Sequence, residues 1–437
     1  PGGAGKAGVV ATDSLILGFG SRLVLDLFND GMQADQLNTK VLKIETKNWQ
    51  FGPKNLTPVV EFVAHLGADT EIAQGRYFLG EVGELKGDLT KLKIEGLGNS
   101  HKTQLVLEDG KLYVEVSGLR DASTVYWNGT ESNAWNLGGA ENFLAADGEK
   151  ADVFVSGDKV YFTDNAKLFN VSLEGEIEAD SIIVDNTKAY TFAGNGSIIG
   201  NTVLVKRGTG NLTIRTDNTY TGGTRISEGA VIVTSLSNAN QAVGNLGGVV
   251  TSNAKFVIEN GAELRTTAAV TQGSPMRMES PEGGVIQNSA DFIVNKAITG
   301  TKLTKRGSGW MKLNIANTVD TMVVAAGTVQ CVSCSTPARN VVYHGGTLRE
   351  NAGTSYAVNV PRGKTGTWYL ANRSTYSNKI TGAGTLTIYG VTEKGSNYYA
   401  TRTPIQCNFS VFEGTIKPTS SVDDPALLRF TLNVAGS

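Results

Sequence analysis

The sequence predicts an all-β chain in which a smaller β-rich region precedes a parallel β-helix, a solenoid of stacked coils. Three observations carry this. Leu204–Ile214 (LVKRGTGNLTI) and Leu303–Leu313 (LTKRGSGWMKL) are near copies. Each is followed by an Asn-Thr pair (Asn218-Thr219, Asn317-Thr318) and a single-glycine corner (Gly229, Gly327). Self-similarity at long period marks units that cannot bury their own apolar face and must stack on a neighbour. Second, 53 glycines stand against only 10 prolines, and the glycines are scattered as turn punctuation. Third, the intervals are short runs rich in Val, Ile, Leu and Thr, the composition of strands.

In chain order, Asp13–Val116 reads as β throughout. Leu23–Leu27 alternates with the period of two that a half-buried strand requires. Leu105–Val116 reads as a hairpin, with Asp109-Gly110 supplying the positive-φ turn. Ala68–Gly75 reads as a loop. Ser117–Ser123 reads as a boundary, dividing residues 1–122 from residues 123–437. Beyond it, Tyr126–Thr130 and Trp135-Asn136 open a series of short strands: 151–155, 159–162, 169–173, 181–184 and 190–192. Within each copy the order is strand, Gly-Ser/Thr-Gly corner, strand, Asn-Thr turn, strand, single-glycine corner, strand. A weaker third copy runs Gly382–Ile388 and closes at Phe412–Ile416. Further one-glycine corners occur at Asn260–Leu264 and Gly345–Leu348. In a coil, Leu212 and Ile214 point inward and stack with residues of adjacent coils, and Asn218 and Asn317 occupy equivalent turns where side-chain ladders form.

The 437 residues exceed one ordinary globular core. A net charge of −2 and a charged fraction of 18% argue against a broad nucleic-acid or anionic-membrane footprint. No apolar run is long enough to cross a bilayer as a helix. The chain begins Pro1-Gly-Gly without methionine, as expected of a processed or cut piece of a longer protein.

The run Leu204–Val233, with Asn218-Thr-Tyr-Thr-Gly-Gly-Thr224 inside it, resembles the autotransporter-associated β-strand repeat. That family reads L-x-K-x-G-x-G-x-L-x-L, then N-x-Y-x-G-G-T, then an isolated G-x-L/V. Tyr126-Trp-Asn-Gly129, Val160-Tyr-Phe162 and Tyr190–Gly194 are similar to segments that precede the repeat in large surface proteins. The second copy departs at Val319–Met322. The resemblance implies a right-handed parallel β-helix, secretion and residence at the bacterial cell surface in association with the outer membrane. It brings no catalytic residues, and no β-barrel translocator is recognisable here, which leaves the secretion route open. Residues 13–120 resemble segments that close such arrays, and Leu427–Leu432 looks like Leu15–Leu27 beginning again. Residues 1–122 are therefore expected to be the end of an upstream array, and residues 123–437 most of the next.

The remaining candidates are few. His65, His101 and His344 lie apart in the sequence, which argues against a zinc site, and neither a metal nor a cofactor is expected. Cys331-Val-Ser-Cys334 has the spacing of a local disulfide or of two free thiols, and Cys407 is expected to be buried. Lys206-Arg207 and Lys305-Arg306 read as exposed corner charges, with a carbohydrate or phosphate contact as the alternative. Trp127 and Trp135 read as a cap on the coil stack. Trp368, Tyr369 and Tyr376 form a candidate sugar-stacking platform. Asp180 and Asp185 beside Lys188, or Asp423-Asp424 near Arg429, would serve a polyuronate-cleaving β-helix. Calcium wants more oxygen ligands than this pattern supplies. No G-x-S-x-G elbow occurs, and no helix follows the Gly-x-Gly pairs. The expected function is a non-catalytic structural or adhesive segment, a rigid stalk or display scaffold, with glycans or host or cell-surface proteins as partners. A polysaccharide-binding or polysaccharide-cleaving β-helix is the alternative.

Overall fold

The computed structural model describes residues 6–18, 20–45, 57–69, 72–97, 101–334, 337–352, 354–370, 375–390, 403–420 and 428–430. The described residues are β-strands and turns, with three short 3-10 turns and no α-helix. No described helix is long and apolar enough to cross a membrane. The chain divides into two compact units: residues 1–121 with 137–139, and residues 122–136 with 140–437.

The first unit is itself built from parallel turns of chain. Val9–Gly18 pairs in parallel with Gln36–Glu45, which pairs in parallel with Gly75–Lys86. The returning strands Arg22–Phe28, Val59–His65 and Lys93–Glu95 form a second parallel ladder. Between the ladders lies a core that includes Leu25, Leu27, Phe62, Tyr77, Leu79 and Val114. The hairpin His101–Glu108 with Lys111–Gly118 then pairs antiparallel to Gly75–Lys86. Asp109 and Gly110 take φ of 49° and 74° at its turn, the left-handed geometry that an Asp-Gly pair accommodates.

The second unit is the parallel β-helix. Coils from residue 159 to 294 are three-sided. Their first side is the ladder of Lys159–Thr163, Ser181–Asp185, Val203–Arg207, Gly223–Ile226, Phe256–Glu259 and Met276–Glu279. Their second side is the ladder of Asn170–Leu173, Tyr190–Gly194, Asn211–Ile214, Ala230–Val233, Glu263–Thr266 and Gly284–Asn288. The third side carries short strands such as Val270–Gln272 and Phe292–Val294. At residue 298 the first two sides fuse. The long strand Ile298–Arg306 pairs with Met276–Glu279 through its first half and with Gly284–Asn288 through its second. From there the third side becomes a continuous sheet through Trp310–Leu313, Thr328–Cys331, Thr347–Arg349, Thr365–Leu370, Thr385–Gly390 and Thr415–Ser420.

In-register parallel pairing makes each inward position a column. Leu212, Val231, Leu264 and Ile286 follow one another up the second side, each fully or almost fully buried. Burying such side chains is worth roughly 1.5–3 kcal/mol each, and the columns supply the interior that no single coil could make. The first coils hold an aromatic cluster. Trp135 packs on Phe143, Phe154, Phe162 and Phe192 with ring centroids 5.1 to 6.2 Å apart. Here Thr124–Trp127 pairs in parallel with Lys159–Thr163 and antiparallel with Phe143-Leu144, so the aromatics sit where the regular ladder starts. Of the last strand read from sequence, only Leu428–Phe430 is described; it pairs in parallel with Thr403–Ile405.

Candidate functional site: repeat corners, a buried carboxyl and an outward sheet face

The lysines of the two repeats are not exposed charges. Lys206 and Lys305 are fully buried and point into the coil, while Arg207 and Arg306 point out. This overturns the surface reading of Lys206 and Lys305, and strand alternation is the reason. In Leu204-Val-Lys206 the leucine faces inward, so the lysine two residues later must do so too. Each ammonium is held by corner carbonyls. Lys206 Nζ donates to the carbonyls of Arg207, Gly208 (2.6 Å) and Glu228 (3.4 Å). Lys305 Nζ donates to Arg306 (2.8 Å), Gly307 (2.8 Å) and Ala326 (3.2 Å). Burial draws both ammonium groups down to about 8. A carbonyl cage stands in for the water they lose.

The asparagines serve the backbone rather than one another. Asn218 Oδ1 accepts from the amide of Ile198 at 2.8 Å, and Asn317 Oδ1 accepts from that of Ile298 at 2.9 Å. Each therefore fastens its coil to the one before it. A direct Asn218-to-Asn317 ladder is ruled out by the coils between them.

Of the proposed aromatic platform, Trp368 and Tyr376 are completely buried and meet edge to face at 5.4 Å inside the coil. They are interior packing, a correction that again follows from alternation along Thr365–Leu370. Tyr369 alone points outward. Its ring stacks on Tyr389 at 4.4 Å and 8°, and its other side carries the Arg349 guanidinium at 5.0 Å. Arg349 also lies over Trp310 at 5.3 Å. Both faces of the Tyr369 ring are thus occupied, and a sugar cannot stack there.

Cys331 and Cys334 are unbonded, buried thiols, and the neighbouring Cys334 together with burial pushes the Cys331 thiol up. Cys407 is also buried and donates to the Tyr376 carbonyl at 3.7 Å. Beside the Cys331 thiol lies Glu350, a carboxyl that sequence reading missed. It is 8% exposed and accepts a hydrogen bond from the Tyr356 hydroxyl. Burial pushes it up to about 7. The signal was available: Leu348 inward and Arg349 outward put Glu350 inward.

The lyase constellation does not form. Asp180 and Asp185 bracket opposite ends of one strand, and the Lys188 ammonium is turned to the carbonyl of Asp164 at 3.1 Å. Asp423 and Asp424 lie outside the described residues. His65 stacks on Phe28 at 4.5 Å. Among the described residues no group of three His, Cys, Asp or Glu side chains is placed to hold a metal ion.

Residues 204–233 match the family described as the passenger-associated-transport-repeat. The chain is 26% identical over 247 residues to the adhesin BmaC autotransporter of Brucella suis biovar 1 (strain 1330), a match covering 49% of this chain and 7% of that protein. The chain thus spans only a small part of that relative's length. No solved structure matches it.

Proposed function

We propose that this chain, which carries the passenger repeat of autotransporters, is an adhesive passenger segment displayed outside a bacterial cell, and that its β-helix acts as a rigid, non-catalytic scaffold. The observation that carries this reading is the repeat corner. The lysine shared by the two strong copies, Lys206 and Lys305, is directed inward and satisfied by backbone carbonyls. A group so used holds coils together and offers nothing to a substrate. The adhesin name of the relative supports the adhesive role, and continuous in-register ladders support stiffness along the stack.

On the same reading, residues 1–122 are the closing end of an upstream array. Their parallel turns followed by an antiparallel hairpin support that assignment. A sheet edge left open invites further pairing, and a hairpin laid across it is one way to end a stack.

The experiment is surface labelling and adherence. Cells of the source bacterium should bind antibody raised against residues 122–437 without permeabilisation. Purified chain should compete with those cells for host-cell or matrix surfaces. Labelling only after permeabilisation, or adherence indifferent to excess chain, contradicts the proposal.

A further inference from the structure

The outward face of the third side carries a regular pattern of side chains. Its positions fall into two neighbouring columns. In one, Thr328, Thr347, Thr367 and Thr387 stand above one another on successive coils. In the other, Gln330 is followed by Arg349, Tyr369 and Tyr389. All are partly exposed. From Thr328 to Lys417 no outward position of this sheet carries an acid, whereas Arg349 and Lys417 are cations. On the earlier coils several outward cations are matched by acids. Arg225 pairs with Glu259 and Glu279 at 2.7 and 2.8 Å, Arg306 with Glu263 at 2.6 Å, and Lys312 with Asp291 at 2.6 Å.

Arg349 is held by aromatic rings instead. Its guanidinium is held between Trp310 and Tyr369, and among the described residues no carboxylate pairs with it. Aromatic clamping fixes the plane of the guanidinium and covers its faces, leaving the N–H edge as the part that can be used. That edge matches a carboxylate, which it engages through two parallel hydrogen bonds. The hydroxyl column beside it repeats once per strand, about 4.8 Å. This is close to the advance of one pyranose along an extended polysaccharide, so successive sugars can meet successive threonines.

Resting on the adhesive reading, we infer that this face binds a carboxylated polysaccharide laid along the coil axis, with Arg349 taking a uronate carboxylate and the threonine column taking sugar hydroxyls. Recognition is by charge and hydroxyl matching, since the Tyr369 ring faces are already covered.

The test is binding of immobilised chain to polygalacturonate, with dextran sulfate and neutral dextran as comparison polymers. Polygalacturonate should bind best, and its affinity should fall as salt is raised. Arg349→Ala should weaken it at least tenfold, Arg349→Lys less, and the Thr347→Val/Thr367→Val pair several-fold. Arg225→Ala, on another side of the coil, should leave it unchanged. Thermal melts of each variant identify any that fail to fold; if Arg349→Ala is one, the threonine pair and Arg349→Lys carry the comparison. No binding to polygalacturonate, equal or better binding to dextran sulfate, or binding indifferent to Arg349 overturns the inference. If cell adherence by the chain persists in that event, the adhesive reading stands without it; if adherence is absent too, both fall.

Discussion

The two strong copies of the repeat build the same corner on different sides of the coil. In the first, the Lys206 column continues through Ile226, Ile258 and Met278 to Gly300, on the first side. In the second, Lys305 stands above Leu212, Val231, Leu264 and Ile286, on the second side. Yet the local arrangements coincide. Gly229 closes over the carbonyls of Gly208 and Gly210, and Gly327 over those of Gly307 and Gly309. The repeat therefore encodes a corner and its stacking partner, not a fixed position around the coil. The fused strand Ile298–Arg306 is where the phase shift is absorbed, because it serves two sides at once. The third copy keeps the glycines of the corner, with Gly414 over the Gly384 carbonyl, but has the fully buried Ile380 in the lysine's place.

If the corner is the unit, equivalent substitutions must cost the same on either side. The largest effect is expected at the closing glycines. Gly229 and Gly327 have φ of 67° and 64°, and a Cβ on either would lie 2.4 Å from a carbonyl oxygen of the coil below. Gly229→Val and Gly327→Val should each lower unfolding free energy by about 4 kcal/mol or more, measured by urea titration. A large loss at one and none at the other would break the equivalence.

The lysines come next. Lys206→Ala or Lys305→Ala leaves buried carbonyls unpartnered and should cost about 2–3 kcal/mol. They also have a pH signature. Below pH of about 8 the lysine is charged in both folded and unfolded chain, and the folded state bears the cost of burying it. Between about 8 and 10.5 the folded lysine has lost its proton while the unfolded one retains it, so the lysine contribution to stability rises with pH. Replacing both lysines by Met should flatten that rise, and either single replacement should roughly halve it.

Glu350 has the opposite slope and no counterpart in the first copy, so it separates the two regions. Its folded carboxyl holds a proton up to about 7 while the unfolded one releases it near 4.5. Its contribution to stability is therefore complete below about 4.5 and is lost as pH rises through about 7. Glu350→Gln should remove this decline from the melting profile. The smallest effects belong to the asparagines. Asn218→Ala and Asn317→Ala should each cost about 1–2 kcal/mol, by the amide of Ile198 or Ile298 left without its acceptor, and amide exchange at those two positions should quicken in parallel.

Much of the coil was legible in the sequence because parallel stacking repeats the same demands at each turn. Gly208 and Gly307, Leu212 and Ile214, and the Asp109-Gly110 hairpin were all readable from residue type and spacing. The inward Lys206, Lys305 and Glu350 were equally specified by alternation, but a charged side chain is ordinarily a surface group. Trp368 and Tyr376 were misplaced for the converse reason: aromatic residues suit both a sugar platform and a core, and only the in–out phase of Thr365–Leu370 distinguishes them. The shift of the repeat from one side of the coil to the next left no mark in the local sequence. It depends on how many residues each intervening coil uses, and that count is set by tertiary pairing. Arg349 between Trp310 and Tyr369 likewise joins three coils.

The phase shift can be tested with paired cysteines at outward positions. Gln287 is the in-register neighbour of Arg306 on the second side, whereas a repeat locked to one side would bring Arg306 beside Glu279 on the first. Adjacent strands suit a disulfide at a Cα separation of roughly 4.4–6.8 Å. In the oxidised protein, peptide mapping should find the Gln287→Cys/Arg306→Cys pair cross-linked and the Glu279→Cys/Arg306→Cys pair free. Cross-linking of the second pair in place of the first would contradict the corner account.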